Sequence, residues 1–535
     1  MPELDLLITA GRVLTPDVVA GERGAGPGYV GIRDGVIAAV GAGAPEMDAT
    51  RVLDLGPATL SPGFIDGHIH PVFGLQMARG VDLSGIRDRE TARAKLREAT
   101  REDGWLLGWG LDPAALDGVF DNSILDGIAQ DELVHITLFD GHGSLVSDAA
   151  IALAGITGTE TFEDSSSVVV DDQGRPTGVL FEVSASRLVE SHLPHEDAEG
   201  TLTRLAALLQ GMAESGLVAG QMLDLARPDS LDVLDALEAR MELPIRLRVS
   251  PWIMPGYSDA DLDAIIAMQG RHGRRWEVRG VKLMIDGTID NGTAWLFEPD
   301  THGESTSSLW LDTDEYRRAL ARLHAERIPT TTHAIGDKGI SFVAESVGAL
   351  ERNGTQHRIE HIETLPDSVL QQMVDAGVAA GMQPTHCTLY ALADHTDNWS
   401  QRLGDERADL AWRIGDLRAR GVIVALGSDW PVAPYDPRPI FAAAQLRRNA
   451  GRLDEQPNRP EQALSARRAL EGYTSEFWRS VGESGGRIEV GARADLTGFA
   501  DDPLTTDPDA FAETAVVLTV VDGAVVVDPV VGRSA

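Results

Sequence analysis

Short apolar runs separated by turn residues occur near both ends of the chain. The segment YVGIRDGVIAAVG has strand-like runs on either side of Asp34-Gly35, and VVLTVVDGAVVV repeats the pattern around Asp522-Gly523. An Asp-Gly pair between two apolar runs is typical of a type I′ β-hairpin. Because both ends carry such signals, we predict one small β-sandwich domain built from residues 1–60 and 485–535.

Between the two ends, strand-like runs alternate with segments whose apolar residues recur at helical spacing. Eight runs qualify as strands: ATLSPGFIDGHIH, LVAGQMLD, IRLRVSPWI, GVKLMIDG, IPTTTHAIG, RIEHIE, VAAGMQP and VIVALGSDWP. Helical patterns such as DEYRRALARLHAER, ISFVAESVGALER and SVLQQMVDAG separate most of the later strands. Eight alternating units predict an α/β protein with a (β/α)8 TIM barrel, which we assign to residues 61–484.

The predicted barrel region is longer than the ~250 residues that eight βα units need. The excess falls after the first strand, at about residues 85–200, and includes the segment DGWLLGWGLD with Trp105 and Trp109. This segment has strand signals of its own. We therefore predict an inserted α+β subdomain that lies over the mouth of the barrel.

Composition narrows the class of partner. Hydrophobic residues make up 43% of the 535-residue chain and charged residues 24%, which is typical of a globular protein. Acidic residues outnumber basic ones 83 to 46, for a formal net charge of −37. Nucleic acids and anionic membranes bind basic surfaces, so we predict neither as a partner. A solvated surface explains the acidic excess, and a small molecule is the expected substrate.

The single cysteine, Cys387, leaves this chain without an intramolecular disulfide or a cysteine-based zinc cluster. The first residues, MPELDLLITAGRVL, lack the basic and apolar regions of a signal peptide. No run approaches the ~20 apolar residues of a membrane-spanning helix. We therefore expect a cytoplasmic protein, and a homodimer is one hypothesis for its assembly.

Residues that bind metals follow the predicted strands at their carboxyl ends, where TIM barrels carry their active sites. The first strand ends in two histidines that share a face, and strands four, five, six and eight each supply one more residue: His68, His70, Lys282, His333, His361 and Asp429. Taken singly, Asp429 could form a turn, His361 could be a core histidine and Lys282 could pair with an acid. Because all six converge on one mouth, we predict a metal site.

Nine short motifs follow one another along the chain: SPGFIDGHIHP, DGHGSLVSDAAIALAGI, GRPTGVLFE, VKLMIDGTID, THAIGDKGI, HRIEHIE, MQPTH, LGSDWPV and GARADL. The first of them resembles the first-strand motif of the metal-dependent amidohydrolase superfamily. In their order and combination, the nine are similar to the branch that includes N-substituted formamide deformylases and exoenzyme regulatory protein-like amidohydrolases. The resemblance covers nearly the whole chain.

This resemblance implies a (β/α)8 barrel with a β-sandwich made from both ends, and one or two divalent ions per chain, most often zinc. By motif, His68 and His70 look like ligands of one ion, and His333 and His361 like ligands of a second. Lys282 occupies the place of a lysine that is carbamylated in many relatives and bridges two ions. Asp429 looks like the residue that binds metal and transfers the proton.

The predicted reaction is hydrolysis of a non-peptide carbon–nitrogen bond, such as that of an N-substituted formamide, by attack of metal-bound hydroxide. Asp429 is the candidate proton shuttle between water and the leaving nitrogen. If Lys282 stays unmodified, His361 would polarise the carbonyl as the second catalytic residue. The single ion would then have four ligands: His68, His70, His333 and Asp429.

His142, Trp109 and Trp430 are the candidate substrate-binding residues, and they predict a partly aromatic pocket with one polar group. Trp109 could equally be a core residue of the insert. Such a pocket favours a small neutral amide over a charged one. One departure from the similar proteins, Val146-Ser147-Asp148 in place of Val-Asn-Ser, concerns this pocket and not the metal site.

Two alternatives stay open. A deaminase of an amidine or a heterocycle is disfavoured, because related deaminases have a glutamate shortly after the strand-five histidine. Here His333 is followed by Ala334, Ile335 and Gly336. A non-catalytic barrel protein is disfavoured because such proteins usually lose metal ligands, whereas all six candidates are present here.

Overall fold

Eight parallel strands form the centre of the computed structural model, which describes residues 4–116, 119–129, 131–194, 197–225 and 230–528. They are β1 (Phe64–Ile69), β2 (Leu217–Leu225), β3 (Arg246–Ile253), β4 (Val281–Met284), β5 (Thr330–Ala334), β6 (Arg358–His361), β7 (Ala379–Met382) and β8 (Val424–Leu426). Strands adjacent in sequence are adjacent in the sheet, and every pair is parallel. This order confirms the predicted (β/α)8 barrel.

The first and last strands meet just beyond their carboxyl ends. The backbone N–H of Asp429 donates to the carbonyl oxygen of His68 over 2.8 Å, and that of His70 donates to Trp430 over 2.9 Å. These two hydrogen bonds nearly close the barrel. They also hold the segment that carries His68 and His70 next to the segment that carries Asp429.

Helices surround the barrel, and they bury apolar faces against it. The pattern DEYRRALARLHAER forms the helix Thr313–Ala325, which buries Tyr316, Leu320 and Leu323 at positions i, i+4 and i+7. The helices of the barrel region are Pro71–Met77, Ala198–Glu214, Ser230–Glu238, Asp259–Met268, Thr313–Ala325, Asp337–Gly348, Asp367–Ala376, His386–Leu389, Asn398–Leu403, Asp405–Ala408, Ile414–Ala419, Pro437–Leu446, Ala466–Tyr473 and Ser475–Ser480. A short strand, Trp276–Val278, pairs beside β3.

Two further sheets form the terminal β-sandwich. One has the strand order Val36–Ala42, Gly28–Arg33, Leu4–Ala10 and Ala49–Asp54. The other joins both ends of the chain in the order Arg12–Val13, Thr59–Pro62, Leu496–Phe499, Val516–Val521 and Ala524–Val527. Asp34 and Gly35 have φ values of 51° and 73°, and Asp522 and Gly523 have 53° and 77°. Positive φ at both central residues is what a type I′ hairpin requires, so both predicted hairpins are present.

One apolar run that the sequence pattern presents as a single strand is divided at Gly63. The segment Thr59–Pro62 pairs within the sandwich, whereas β1 pairs within the barrel. A side chain on Gly63 would place its Cβ 2.4 Å from a methyl group of Val218. Glycine therefore lets the chain cross β2 closely on its way from the sandwich into the barrel.

The insert after β1 has its own mixed sheet, in agreement with the predicted α+β subdomain. Its strands lie in the order Ser167–Val170, Pro176–Phe181, Gly143–Val146, Leu133–Leu138, Trp105–Leu111 and Val81–Asp82, with Arg101–Glu102 paired to Trp105–Leu111. Its α-helices are Arg89–Glu98, Asp148–Ala154 and Val183–Glu190. The connection at residues 139–142 contacts the barrel, since Asp140 accepts hydrogen bonds from Thr288 over 2.8 Å and from Asn291 over 2.6 Å.

Within the described residues, every helix is too short or too polar to cross a lipid bilayer.

Candidate metal centre

Three of the predicted ligands lie close together at the carboxyl ends of β1 and β8. Nε2 of His68 is 3.2 Å from Nε2 of His70, and Oδ1 of Asp429 is 3.3 and 3.1 Å from these two nitrogens. Ligand atoms about 2.0–2.1 Å from one tetrahedral zinc ion are roughly 3.4 Å apart. The three atoms therefore have the spacing of ligands that share one ion.

Asp66 holds the strand ends that carry this triad in place. Its Oδ1 accepts the backbone N–H of His68 over 3.0 Å and that of Ser428 over 2.9 Å, so one carboxyl group links β1 to the segment after β8. Burial raises the pKa of Asp66 to about 7. Between the two strands, a Cβ on Gly67 would lie 2.7 Å from the carbonyl oxygen of Leu426. Glycine at this position permits the close approach of β1 and β8.

A second group of ligand atoms faces the other oxygen of Asp429. Nδ1 of His361 lies 3.8 Å from Oδ2 of Asp429, and Nε2 of His386 lies 3.9 Å from the same oxygen. His361 ends β6, and His386 opens the short helix after β7. All three residues are buried, and their ligand atoms lie within 4.8 Å of one another.

His333 and Lys282 line the same cavity but belong to neither group. The ring of His333 lies 4.4 Å from that of His361 between centroids, and its Nε2 is 3.1 Å from the carbonyl oxygen of Gly287. Lys282 is 2% exposed. Burial lowers the pKa of its ammonium to about 8, although Glu360 and Asp429 favour the charged form.

Residues behind the ligands orient them. Nδ1 of His68 lies 2.8 Å from Oε2 of Glu360, and Oε1 of Glu360 accepts a hydrogen bond from Arg358 over 2.5 Å. Arg358 also donates to the carbonyl oxygen of Gly67 over 2.8 Å. A carboxylate on one ring nitrogen leaves the other free for a metal, as is usual for metal-binding histidines.

The protonation of the rings suits metal binding. Burial is the main cause that lowers the pKa of His68, His333 and His361 far below the ordinary histidine value. Their rings are therefore neutral near pH 7, and each has one nitrogen with a free lone pair. Neutral imidazoles with a carboxylate make a donor set that fits zinc and similar divalent ions.

The cavity above the ligands encloses about 840 Å³, part of it open to solvent. Its aromatic lining comes from Phe73, Phe139, Trp252, Tyr390, Trp399 and Trp412, and its carboxyl groups beyond Asp429 come from Asp140, Asp290 and Glu363. Glu363 accepts a hydrogen bond from the indole of Trp399 over 2.7 Å, and Asp290 accepts one from Asn398 over 2.9 Å. These carboxyl groups are thus held in fixed positions opposite the histidines.

The insert supplies one wall of this cavity. His142 lines it and places its Nδ1 2.9 Å from Oε2 of the buried Glu182. Burial opposes the charged ring, but the adjacent carboxylate of Glu182 outweighs that effect and raises the pKa of His142 to about 9. His142 is therefore protonated near pH 7 and can donate a hydrogen bond into the cavity. The rings of His68, His333 and His361 are neutral at the same pH.

A protein-family model described as the amidohydrolase family matches residues 51–527, which is most of the chain. The chain belongs to the amidohydrolase family. Over 97% of both chains, this amidohydrolase is 24% identical to N-substituted formamide deformylase of Arthrobacter pascens. It is 26% identical over 519 residues to YtcJ of Bacillus subtilis (strain 168), which carries a provisional amidohydrolase name; the match covers 92% of this chain and 95% of YtcJ.

Solved structures support the same fold. An uncharacterized metal-dependent hydrolase from Pyrococcus horikoshii OT3 superposes with a TM-score of 0.70 at 22% identity, covering 94% of this chain and 99% of that one. The family match and the deformylase similarity confirm the resemblance inferred from the motifs.

Two of the three residues predicted to bind substrate do not line the cavity of this amidohydrolase. His142 does, whereas Trp109 lies on a strand of the insert sheet and Trp430 packs near Tyr435, with ring centroids 6.4 Å apart. Within the departing run Val146-Ser147-Asp148, Ser147 caps the helix Asp148–Ala154 by accepting the N–H of Ala150 over 3.2 Å. This departure therefore concerns a helix end, and not the cavity.

His386 and the aromatic residues that line the cavity were not predicted from the sequence. The motif MQPTH contained the signal, because His386 follows β7 at the same end of the barrel as the other ligands. These aromatic residues lie in short helices, in β3 and in connecting segments, and hydrophobic periodicity did not show which of their side chains face the cavity.

Proposed function

We propose that this amidohydrolase is a metal-dependent enzyme that hydrolyses a non-peptide carbon–nitrogen bond in a small amide of the N-substituted formamide kind. The observation that carries the proposal is the triad of His68, His70 and Asp429, whose ligand atoms lie 3.1–3.3 Å apart and line one cavity. Similarity to a formamide deformylase along nearly the whole of both chains supports an amide as substrate.

His68, His70 and Asp429 would hold a divalent ion, which would lower the pKa of a bound water and polarise a carbonyl group. Asp429 accepts the proton of the attacking water and passes it to the leaving nitrogen, so that an amine and a carboxylate leave the site. Asp429 is 5% exposed, and its backbone N–H is fixed by the carbonyl of His68. A fixed base needs little reorganisation during the reaction.

Two regions of the cavity wall would contact different parts of the substrate. Trp252 and Phe73, with ring centroids 5.5 Å apart, lie next to His70 and would contact an apolar N-substituent. The cationic His142 would donate a hydrogen bond to a carbonyl or carboxylate oxygen, because its other neighbour is Glu182. This division favours an N-substituted amide of moderate size over an extended peptide.

Lys282 is proposed to be carbamylated. Among the described residues, no acceptor lies within hydrogen-bonding or ion-pairing distance of its ammonium group, although the side chain is almost fully buried. An unpaired buried cation costs several kcal/mol. Addition of carbon dioxide to the neutral amine, with loss of one proton, would replace it with an anionic carbamate that attracts divalent ions. We expect Lys282→Ala to lose most activity and to regain part of it when a short carboxylic acid is added.

The proposed function is tested by a hydrolysis screen of the metal-loaded protein over N-substituted formamides, longer acyl amides, dipeptides, lactones and aminated heterocycles. We expect carboxylate and amine from the amides, and no activity after chelation. Release of ammonia from the heterocycles alone would favour the deaminase.

A variant outside the cavity and a measurement of bound metal are the controls for this screen. His395 lies beyond the short helix that follows β7, outside the cavity lining, and pairs with Asp405, so His395→Asn should retain full activity. An active preparation that contains no divalent ion by elemental analysis would refute the proposal outright.

A further inference from the structure

Two buried carboxyl groups in the cavity wall have no positive partner. Asp290 and Glu363 are 8% and 7% exposed, and both line the cavity. One oxygen of each accepts a hydrogen bond, from Asn398 over 2.9 Å and from Trp399 over 2.7 Å. Among the described residues, the second oxygens have no hydrogen-bond donor, and no lysine, arginine or histidine forms an ion pair with either group. Buried carboxylates are stable only when they are paired, so this wall is suited to a cation.

The third carboxyl group of the wall, Asp140, differs in this respect. Three groups donate hydrogen bonds to it: the side chains of Thr288 and Asn291 and the backbone N–H of His142. Burial raises the pKa of Asp140, and the positive charge of His142 opposes that effect. Asp140 therefore has a cation within the protein, whereas Asp290 and Glu363 do not.

Aromatic rings line the same part of the cavity. The ring of Trp399, whose indole N–H donates to Glu363, lies 4.8 Å from that of Trp412 between centroids. Phe139 and Tyr390 line the same cavity with ring centroids 4.5 Å apart. The faces of aromatic rings attract ammonium groups, most strongly where water is excluded. Carboxylates among aromatic rings are thus the surroundings in which an alkylammonium group binds well.

A buried donor in this wall is also without a partner. Trp412 is 2% exposed and lines the cavity, and among the described residues its Nε1 has no hydrogen-bond acceptor. Its backbone N–H donates to the carbonyl oxygen of Glu363 over 2.9 Å, so the two residues are neighbours. An unsatisfied buried donor is costly, and in a cavity wall it indicates that a polar ligand binds there.

A second cavity, of about 580 Å³, adjoins the first at Asp290. The two cavities share Phe139, Asp290 and Tyr390. Among its described lining residues the second cavity has one cation, Arg87, which pairs with Asp112 over 3.3 Å. Burial, with the charge of Asp112 adding to it, raises the pKa of Asp290 to about 8. Asp290 therefore faces an acidic region on both sides.

We propose that Asp290 and Glu363 form a subsite for a protonated primary amine, so that the preferred substrates are amides that carry an alkylammonium group. The inference rests on the proposed function and narrows its substrate class. The ammonium group would take the place of the proton that Asp290 otherwise holds, and Phe73 and Trp252 would contact the apolar part of the substrate. The sequence favoured a neutral amide, because it did not show that these carboxyl groups lack partners.

The kinetic test compares amides that differ only in the charge at one end. N-(aminopentyl)formamide is paired with N-hexylformamide, and aminohexanoyl benzylamide with heptanoyl benzylamide, which places the amine in the amine half or in the acyl half. A third member of each set ends in a carboxylate. With metal-loaded wild-type protein, kcat/KM for the amine should exceed that for the neutral partner by roughly thirty-fold in at least one set.

Two variants remove the charges without removing the hydrogen bonds. Asp290→Asn and Glu363→Gln each keep an oxygen that can accept from Asn398 or Trp399. Each variant should lower the ratio of kcat/KM between the amine and its neutral partner by about ten-fold or more. Asp394→Asn, at an exposed turn, is the matched control and should leave that ratio unchanged.

A binding measurement is independent of hydrolysis. Titration calorimetry on the purified intact chain compares hexylamine, which is protonated at neutral pH, with hexanol. Hexylamine should bind more tightly to the wild-type protein and to Asp394→Asn. This difference should disappear in Asp290→Asn.

The outcomes separate this inference from the proposed function. If the amines react no faster than their neutral partners, or if the carboxylates react fastest, the subsite is refuted while the hydrolase stands. A preference for amines that persists in both Asp290→Asn and Glu363→Gln would also refute it. If no amide is hydrolysed but hexylamine binds with a preference that Asp290→Asn abolishes, the proposed function fails and the subsite stands. Absence of both hydrolysis and selective binding would overturn both.

Discussion

At the scale of single residues, two candidate ligands have backbone conformations that residues with side chains rarely adopt. His361 has a φ of 70° and Asp429 a φ of 62°, both in the left-handed region. Such residues cost about 1–3 kcal/mol each and persist where the surroundings impose them. Here the N–H of Asp429 is held by His68, and the N–H of Ile362 donates to Ala334 over 3.1 Å. The strand ends thus aim both ligands into the cavity at a cost in stability.

Replacing Asp429 with asparagine should separate catalysis from stability. Asparagine adopts the left-handed region readily and removes a buried charge, so metal-free Asp429→Asn should unfold at the same urea concentration as metal-free wild type or a higher one. Loss of the proton-accepting carboxylate should lower kcat by roughly 10²- to 10⁴-fold. Steady-state kinetics on the best substrate of the screen measures this. Asp394→Asn, at an exposed turn, is the matched control, and an Asp429→Asn variant with normal kcat would remove Asp429 from the mechanism.

Residue identities at the site were predictable where a strand leads directly to them. The carboxyl-end rule for barrel strands singled out His68, His70 and Asp429 correctly as neighbours. It gave no assignment for His386 or Trp399, which lie in short helices, or for Trp412, which lies in a turn. Trp109 and Trp430 were predicted to bind substrate but do not line the cavity. Their large aromatic rings gave no information on the direction in which the side chains point.

At the scale of elements, a relay of hydrogen bonds joins a barrel helix to two strands. The N–H of Thr330 donates to Nδ1 of His357 over 3.2 Å, so the proton of His357 is on Nε2. That nitrogen lies 2.9 Å from Nδ1 of His324, whose Nε2 then donates to the carbonyl of Glu351 over 2.8 Å. The relay works only while both rings are neutral.

This relay predicts a loss of stability in acid. Burial, assisted by His324, lowers the pKa of His357 to about 4, whereas an unfolded histidine has a pKa of ~6.5. Below pH 6.5 the unfolded chain therefore binds a proton that the folded protein does not, and stability falls until about pH 4. At pH 5 the contribution of His357 amounts to about 2 kcal/mol of lost stability.

Urea unfolding at pH 7.5 and pH 5 measures this effect. His357→Gln should show a smaller drop between the two pH values than wild type, even if its stability at pH 7.5 is lower. His272→Gln, at an exposed position, should retain the full drop. Equal drops in wild type and His357→Gln would contradict the assigned tautomers.

Element boundaries were less predictable than element types. Three of the barrel helices follow from periodicity, because each buries one face at helical spacing. The barrel strands follow from short apolar runs between turn residues, because they are buried on both faces. The run ATLSPGFIDGHIH was wrongly predicted as one strand. Hydrophobicity continues across Gly63, but the partner changes from the strand Leu496–Phe499 to β2. Periodicity reports burial and not the identity of the neighbouring strand.

At the scale of the whole molecule, residues of both the barrel and the insert line the candidate site. The barrel supplies the candidate ligands, and the insert supplies the wall formed by residues 139–142. Thr288 and Asn291 of the barrel fix that wall through their hydrogen bonds to Asp140. Chemistry and substrate choice are therefore assigned to different parts of the chain.

This division predicts that a change in the insert alters substrate ranking without altering metal content. His142→Gln should change the ratio of kcat/KM between two amides that differ in their acyl group by about ten-fold or more, because a positioned polar contact is lost. Bound metal should stay at the wild-type level. Trp109→Phe, on the same subdomain but away from the cavity, should change neither quantity. Loss of metal from folded His142→Gln would argue against the division.

The pairing of Thr59–Pro62 with Leu496–Phe499 imposes an order on synthesis. The two strands are separated by about 430 residues, which a ribosome needs roughly 20–90 s to translate at ~5–20 residues per second. Until then, the edge of Thr59–Pro62 that Leu496–Phe499 will cover is open to other chains. The nascent protein therefore passes through a long period with an open sheet edge, and co-translational chaperones are expected to bind it during that interval.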